Sequence, residues 1–216
     1  GDERTIQIEQ IYLNGESKTA DWDKLGTASD DFEAYKLYID AIVSGFPENI
    51  GKGMTVAIDP GCGAACKTAP EIFKRLGCTV EVINPDFDGR FPGRLPEPSE
   101  EGLKNLSAAV VKSGAVFGIA HDGDADRAVF VDETGKFMDG NITLALLASY
   151  YAEQQPGGEI VTPVSSSGII EAAGKEFGCT TLYTVVGSPY VARTMREELD
   201  MGHNVIIGGE GNGGVI

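Results

Sequence analysis

Apolar residues along the chain occur in short runs that alternate with longer segments of helical period. The short runs are rich in Val, Ile, Ala or Phe and are bounded by Gly, Pro or Asp, which predicts strands. The longer segments repeat apolar residues every three or four positions, which predicts amphipathic helices. The predicted strands cover 55–59, 78–83, 115–120, 128–131, 159–164, 180–186 and 204–208. The predicted helices cover 32–43, 64–76, 99–113, 142–154, 169–177 and 190–200.

This alternation of strands and helices predicts an α/β fold. Residues 55–83 form a strand–helix–strand unit, for which a parallel sheet is expected. The sequence Gly77-Cys78-Thr79 recurs about a hundred residues later as Gly178-Cys179-Thr180, again between a predicted helix and a predicted strand. We therefore expect one α/β unit to be repeated, although this similarity is short.

The N-terminal residues 1–31 are polar and acidic, with a few apolar positions. They are interpreted as a tail or linker without a core of its own. Ser29 precedes the first long apolar stripe and is predicted to be the N-cap of helix 32–43.

Two further features are interpreted as structural. Gly61 and Gly63 follow the first strand and are assigned to a plain turn rather than to a phosphate cradle. Residues 84–98 are rich in Pro, Gly and Asp, which predicts a long loop. Its basic residues Arg90 and Arg94 are expected to be solvated.

An acidic loop separates the strands 115–120 and 128–131. Asp122, Asp124 and Asp126 alternate with small residues, and Arg127 follows. In a straight strand such carboxylates would sit about 6.6 Å apart at Cα. Oxygen ligands must approach a hard cation to about 2.0–2.6 Å. The loop must therefore bend, with Gly123 as the expected source of backbone freedom.

The ligand set of this loop indicates a hard metal ion. Carboxylates without cysteine favour Mg²⁺, Mn²⁺ or Ca²⁺ over zinc. Arg127 is placed to hold a phosphate against the ion. One alternative is a solvated acidic turn. Another is an EF-hand, because Glu133 occupies position 12 of such a loop, but Arg127 stands where that motif has Gly and strands replace its helices.

Charge and cysteine content limit the classes of function. The chain has 216 residues and a formal net charge of −16, which argues against nucleic acid and anionic membranes as partners. No apolar run approaches the ~18 residues of a spanning helix, and the N-terminus lacks a signal-peptide core. The cysteines lack paired CxxC spacing and are expected to be reduced thiols. The cysteines are Cys62, Cys66, Cys78 and Cys179. Together these features predict a cytoplasmic location.

A glycine-rich segment, 209–214, follows the last predicted strand. In open α/β sheets, ligands bind beyond the strand ends. Glu210 can accept from two neighbouring hydroxyls, and Asn212 can both donate and accept. The alternative is a mobile glycine loop with a solvated glutamate.

Both segments resemble known motifs. Residues 122–127 resemble the metal loop of the α-D-phosphohexomutases, which include phosphomannomutases, phosphoglucomutases and phosphoglucosamine mutases, and 209–214 resemble their sugar loop. The resemblance implies two repeated three-layer α/β domains with mixed, mainly parallel sheets, the second truncated. The implied limits are 32–138 for domain 2 and 139–216 for domain 3. No complete phosphoserine motif and no phosphate loop occur, so a fragment lacking domains 1 and 4 is expected.

The resemblance also implies a reaction. Family members interconvert hexose 1-phosphate and 6-phosphate through a phosphoserine and a bisphosphorylated sugar, and a fragment is expected to be inactive alone. A Mg²⁺-dependent sugar-phosphate phosphatase and a Ca²⁺-binding module remain as alternatives. The implied Mg²⁺ ligands are Asp122, Asp124 and Asp126, with Arg127 on the phosphoryl group and Gly187, Ser188, Glu210 and Asn212 on the substrate. In some bacterial members, His stands at the positions of Ser188 and Gly214, and Lys stands near the position of Ser165. Those groups are absent from this sequence, so no acid–base residue is assigned.

Overall fold

The N-terminal unit buries none of its described side chains. The structure is a computed structural model that describes residues 2–16, 18–31 and 33–216. It separates into two compact units, Gly1–Ala34 and Tyr35–Ile216. The first contains helix α1, Asp2–Leu13, and a 3-10 turn, Trp22–Lys24. Its described side chains between positions 3 and 34 are all exposed. Helix α1 was not predicted from the sequence.

The cap of helix α2, Ala34–Ser44, differs from the prediction. The Asp31 carboxylate accepts from the amides of Glu33 at 2.9 Å and Ala34 at 3.2 Å. Ser29 is therefore not the N-cap, because Asp31 satisfies the free amides of the first turn. The predicted first residue of this helix, Phe32, lies outside the described residues.

A mixed sheet forms the first half of the larger unit. Its strand order is β2-β1-β3-β4-β5, with β1 parallel to both β2 and β3. Strands β4 and β5 are antiparallel to their neighbours. The strands are β1 Thr55–Asp59, β2 Thr79–Val82, β3 Phe117–His121, β4 Ala128–Asp132 and β5 Phe137–Met138. The two-residue strand β5 was not predicted.

Helices cover both faces of this sheet. Helix α3, Ala69–Arg75, packs on the face that carries Val56 and Ile58. Helix α4, Lys104–Ser113, packs on the opposite face. The predicted helix 64–76 is interrupted after a 3-10 turn, and α3 restarts with Pro in its first turn, where the missing amide costs no hydrogen bond.

The second half of the unit has a parallel sheet of order β7-β6-β8. Helices α5 and α6 share a core with Ile160 and Ile207 on one face. Helix α7 covers the other face, where Val191 is fully buried. The elements are α5 Gly140–Gln154, β6 Glu159–Pro163, α6 Ile169–Lys175, β7 Thr180–Thr184, α7 Ser188–Asp200 and β8 Val205–Gly208.

The predicted fold class is confirmed, because each half is a sheet between two helical layers. The acidic loop follows β3 and the glycine-rich loop follows β8. Among the described residues, no helix has the length and apolarity needed to cross a membrane. The cysteines are free thiols, as predicted.

Candidate active site

The acidic loop is the turn of an antiparallel hairpin. Strands β3 and β4 pair up to His121 and Ala128, so residues 122–127 must reverse the chain. Ala125 provides the left-handed backbone, with φ of 66°, and Gly123 does not. A Cβ on Gly123 would instead meet Phe91 Cζ at 3.2 Å. The expectation that Gly123 supplies backbone freedom was therefore wrong. The absence of a side chain at Gly123 instead lets neighbouring residues pack closely against it.

The bend brings the three carboxylates together. One oxygen from each of Asp122, Asp124 and Asp126 lies within 4.8 Å of the other two. Asp122 is buried, whereas Asp124 and Asp126 are exposed. The pKa of Asp126 is raised, first by its hydrogen bond to Asp122, then by burial and by the negative charges of Asp122 and Asp124. A divalent cation would relieve this crowding, and the all-oxygen donor set fits Mg²⁺ or Mn²⁺.

Arg127 is held on two sides by carboxylates. Its Nε donates to Asp122 Oδ2 at 2.8 Å, and its Nη1 donates to Glu97 Oε1 at 2.8 Å. Its backbone amide donates to Asp122 Oδ1 at 3.1 Å. Burial alone would raise the pKa of Asp122, but the hydrogen bonds from Arg127 outweigh it and lower that pKa. Nη2 of Arg127 has no hydrogen-bond partner among the described residues and remains available to an anion.

The glycine-rich loop holds its two polar residues by backbone contacts. The Glu210 amide donates to Gly214 O at 2.8 Å, and Glu210 Oε1 accepts from the Gly187 amide at 3.1 Å. Asn212 Oδ1 accepts from the Gly214 amide at 3.0 Å. These contacts leave Oε2 of Glu210 and the NH₂ group of Asn212 for a polar ligand.

The two motifs border one cleft of about 530 Å³. Asp126 and Arg127 line it from one side, and Ser188, Glu210 and Asn212 line it from the other. The remaining predicted residues do not line the cleft. Asp122 and Asp124 are connected to the cleft through the acidic cluster that they form with Asp126, and Gly187 through its contact with Glu210.

The predicted plain turn after β1 is consistent with the hydrogen bonding. The Gly61 amide donates to Asp59 Oδ1 at 2.8 Å, and the Gly63 amide donates to Pro60 O at 3.0 Å. Neither amide is left for a phosphate. Arg90 is exposed and paired with Asp88, which agrees with the expected solvated side chain.

The prediction for Arg94 was wrong. Its side chain is only 2% exposed and pairs with Asp59 at 3.0 Å. A carboxylate at the end of an otherwise apolar strand was the available signal, because a buried charge needs a partner. Sequence reasoning also missed Glu97, the partner of Arg127.

The EF-hand alternative fails on secondary structure. Strands flank the acidic loop where that motif needs helices. Glu133, its proposed twelfth ligand, lies in the turn between β4 and β5.

A second group of potential metal ligands lies at the amino end of β6. His203 Nδ1 is 2.5 Å from Glu198 Oε2 and 3.2 Å from Glu159 Oε1. This group is explained by the contacts between the His203 ring and the two glutamates. Glu198 therefore offers a control position for metal binding.

Comparison with known proteins identifies the family. The model for phosphoglucomutase/phosphomannomutase α/β/α domain II matches residues 36–135. The model for domain III of the same family matches residues 139–216. Together these matches include both the acidic loop and the glycine-rich loop.

Two related proteins are named as mutases. A phosphoglucomutase/phosphomannomutase of Thermococcus kodakarensis is 39% identical, over 99% of this chain and 46% of its own length. A probable phosphoglucosamine mutase of Methanopyrus kandleri is 36% identical, over 98% of this chain and 45% of its own. The chain thus spans less than half the length of these relatives.

The fold agrees with a solved structure from the same family. The crystal structure of a phosphoglucomutase/phosphomannomutase family protein from Burkholderia thailandensis superimposes with a TM-score of 0.80 at 26% identity. The match covers 100% of this chain and 44% of that one. The chain therefore belongs to the phosphoglucomutase/phosphomannomutase family of α-D-phosphohexomutases and contains its second and third α/β domains.

Proposed function

We propose that this chain is the metal-binding and sugar-binding part of a phosphohexomutase. The whole enzyme would interconvert hexose 1-phosphate and 6-phosphate through a phosphoserine and a bisphosphorylated sugar. The proposed domain limits are 32–138 and 139–216, and the proposed location is the cytoplasm. The phosphoserine and the phosphate loop would come from domains 1 and 4, so this chain alone is proposed to be inactive.

The shared cleft carries this proposal. It combines an anion-binding guanidinium, Arg127, with hydroxyl-binding groups on Glu210 and Asn212. A sugar phosphate presents both kinds of partner, an anion and neighbouring hydroxyls. The net charge of −16 would repel such a ligand over the rest of the surface. Local positive charge is therefore required at this cleft.

The acidic cluster is the proposed Mg²⁺ site, with Asp122, Asp124 and Asp126 as ligands. A bound divalent ion would supply positive charge to the oxygens of a transferring phosphoryl group. Arg127 Nη2 would donate to the same group, since Nε and Nη1 are already committed to Asp122 and Glu97. These two contacts orient the guanidinium and keep it at the edge of the cluster.

The glycine-rich loop is the proposed sugar site. Glu210 Oε2 would accept from sugar hydroxyls, and the Asn212 NH₂ group would donate to one. The Gly187–Glu210 hydrogen bond ties the loop that ends at Gly187 and Ser188, at the start of α7, to the same side chain. Binding of the sugar would thus involve both loops together.

Metal binding can be tested with Mn²⁺, followed by electron paramagnetic resonance. We expect Asp124→Asn to weaken Mn²⁺ binding at least about tenfold, since outer-shell changes alone typically cost 10–100-fold. Glu198→Gln, in the group around His203, is the control and should leave the affinity unchanged. Equal affinity of Asp124→Asn and the unmodified chain would contradict the assignment of this site.

The type of reaction can be tested with the chain alone. With Mg²⁺ and glucose 1-phosphate or mannose 1-phosphate, we expect binding without isomerisation and without release of inorganic phosphate. Phosphate release would favour a phosphatase. Isomerisation would contradict the proposed dependence on domains 1 and 4.

A further inference from the structure

Arg94 is a buried cation beneath the acidic loop. It belongs to the long loop 84–98, yet its side chain is 2% exposed. Its partner Asp59 is the last residue of β1 and is 1% exposed. Burial of a guanidinium is unfavourable unless its donors and charge are satisfied. The environment of Arg94 therefore shows what this residue holds in place.

All five N–H donors of the guanidinium have an acceptor. Nε donates to Asp59 Oδ2 at 3.0 Å, and Nη1 donates to Leu95 O at 3.0 Å and Pro96 O at 3.2 Å. Nη2 donates to Asp59 O at 3.2 Å and to His121 O. Five donors in a rigid fork thus meet five oxygens from three segments of chain. A lysine offers three donors from one atom and cannot reproduce this arrangement.

The contact with His121 is the important one for the site. His121 is the last residue of β3, and its carbonyl directly precedes Asp122. The Asp122 carboxylate is in turn bonded to the amide and the guanidinium of Arg127. Arg94 therefore fixes the point at which the chain enters the acidic loop.

The same loop also contacts the acidic loop at two other points. Phe91 and Pro96 lie against Gly123, each 3.2 Å from the position of a Cβ there. Glu97 binds Arg127 with an Oε2–Nη1 distance of 2.6 Å. Arg94 also binds the carbonyls of Leu95 and Pro96. It therefore connects the start of the acidic loop to residues 95–97, which support the middle and the end of that loop.

We propose that Arg94 is a positioning residue for the metal site: it sets the place of Asp122 and, through Pro96 and Glu97, the place of Arg127. This inference rests on the proposed metal-binding role of the acidic loop. Arg94 does not line the cleft, so it acts through Asp122 and Arg127 rather than on the ligand.

The test compares Arg94→Lys with Arg90→Lys in the 216-residue chain. Both substitutions lie in the same loop and keep the charge, but Arg90 is exposed and, among the residues that the structure describes, pairs with Asp88 alone. We expect folded Arg94→Lys, verified by near-ultraviolet circular dichroism, to bind Mn²⁺ about tenfold or more weakly than the unmodified chain. Arg90→Lys should stay within a factor of about two, as is usual for a side chain that makes no contact with the ligands.

A double variant covers the case in which Arg94→Lys does not fold. Asp59→Asn combined with Arg94→Gln replaces the ion pair with two neutral amides and leaves no unpaired buried charge. Gln cannot reach His121 O and the Leu95 and Pro96 carbonyls at once. We expect this variant to fold and to show the same loss of Mn²⁺ affinity. Folded variants that bind Mn²⁺ as the unmodified chain does would overturn the inference.

Amide hydrogen exchange separates this inference from the proposed function. If the unmodified chain itself binds no Mn²⁺, the metal assignment fails. The exchange of the Arg127 amide, bonded to Asp122 Oδ1, still reports on the position of the acidic loop. Faster exchange in the Arg94 variants than in Arg90→Lys would support positioning by Arg94, and equal exchange would overturn it.

Discussion

The backbone amide of Ala128 donates a hydrogen bond to the carbonyl of Gly213 at 3.2 Å. Ala128 directly follows Arg127, and Gly213 lies in the glycine-rich loop. The two loops that border the cleft are therefore joined backbone to backbone. Gly213 has φ of 98°, and a Cβ on it would lie 2.6 Å from Ala128 O. Only glycine fits this contact without movement of one loop.

Gly213→Ala should disturb both stability and the cleft. The unfavourable backbone conformation and the clash should lower the free energy of unfolding by about 1–3 kcal/mol, measured by urea denaturation. Affinity for glucose 1-phosphate, measured by calorimetry, should fall because Glu210 and Asn212 move with the loop. The control is Gly168→Ala, at a position with φ of −60° and no atom within 4 Å of a new Cβ. Similar behaviour of the two variants would argue against a tight contact between the loops.

Gly63→Ala should act on the acidic loop through a different contact, the one with Gly123. A Cβ on Gly63 would lie 2.5 Å from Gly123 O, and the Ala64 amide donates to the same oxygen at 3.0 Å. Because the opposing atom is backbone, the acidic loop must shift. We expect a loss of about 1–3 kcal/mol in unfolding free energy, as for overpacked sites, together with weaker Mn²⁺ binding.

The matched control for Gly63→Ala is Gly89→Ala, where a Cβ meets no atom within 4 Å. This variant should bind Mn²⁺ as the unmodified chain does. If Gly63→Ala also leaves Mn²⁺ affinity unchanged, the turn after β1 does not support the metal site.

Arg127→Lys should weaken anion binding although it keeps the net charge. A lysine cannot hold Asp122 and Glu97 and still present a third donor in the same plane. Loss of a hydrogen bond to a charged group costs about 1.5–3 kcal/mol, which corresponds to roughly ten- to hundredfold in affinity for glucose 1-phosphate. Arg75→Lys, in the exposed pair with Asp40, is the charge-matched control and should have no effect. Calorimetry with Mg²⁺ present measures both variants.

The hairpin after β4 should lose stability in acid. Asp132 Oδ1 accepts from the Thr134 hydroxyl at 2.7 Å and from the Lys136 amide at 2.9 Å. These bonds, that of Thr134 first, lower the pKa of Asp132 in the folded state. A lowered folded-state pKa stabilises the fold above the unfolded value of 3.8, and this contribution is lost as the pH falls through the folded-state pKa.

Asp132→Asn should therefore be less stable than the unmodified chain at neutral pH, and the difference should shrink below pH 3.8. Urea unfolding over a pH series measures this difference. Glu133→Gln removes the same charge from the next residue and corrects for the general effect of net charge. A difference that stays constant with pH would exclude the hydrogen bonds of Asp132 as its source.

The sequence was most informative where local chemistry determines structure. The limits of β1 were predicted correctly, because a β-branched run ends at Asp59 before Pro and Gly. Helix α5 was predicted to within two residues of its start, and the carboxylate of its N-cap, Asp139, accepts from the Asn141 amide. The two loops were also located from sequence, the acidic loop by its alternating carboxylates and the glycine-rich loop by its place after the last predicted strand.

Contacts between distant segments could not be predicted. Burial of Arg94 depends on Asp59, 35 positions earlier, and on the carbonyl of His121 in another strand. The left-handed conformation of Ala125 depends on how the six-residue loop 122–127 closes. The sequence pattern therefore assigned this backbone freedom to Gly123 instead. Strand β5 is too short to carry a periodic signal of its own.

The pairing of β3 with β4 also limits how this protein can change over evolution. Val129 and Val131 pack beside α4, while Phe130 packs towards α3. An added residue between Asp122 and Arg127 would either bulge, which separates the carboxylates, or slide β4 by one position. Such a slide would turn the valines towards α3 and Phe130 towards α4, so that each helix would meet side chains of a different size. Insertions and deletions should therefore be excluded from this loop even where substitutions are accepted.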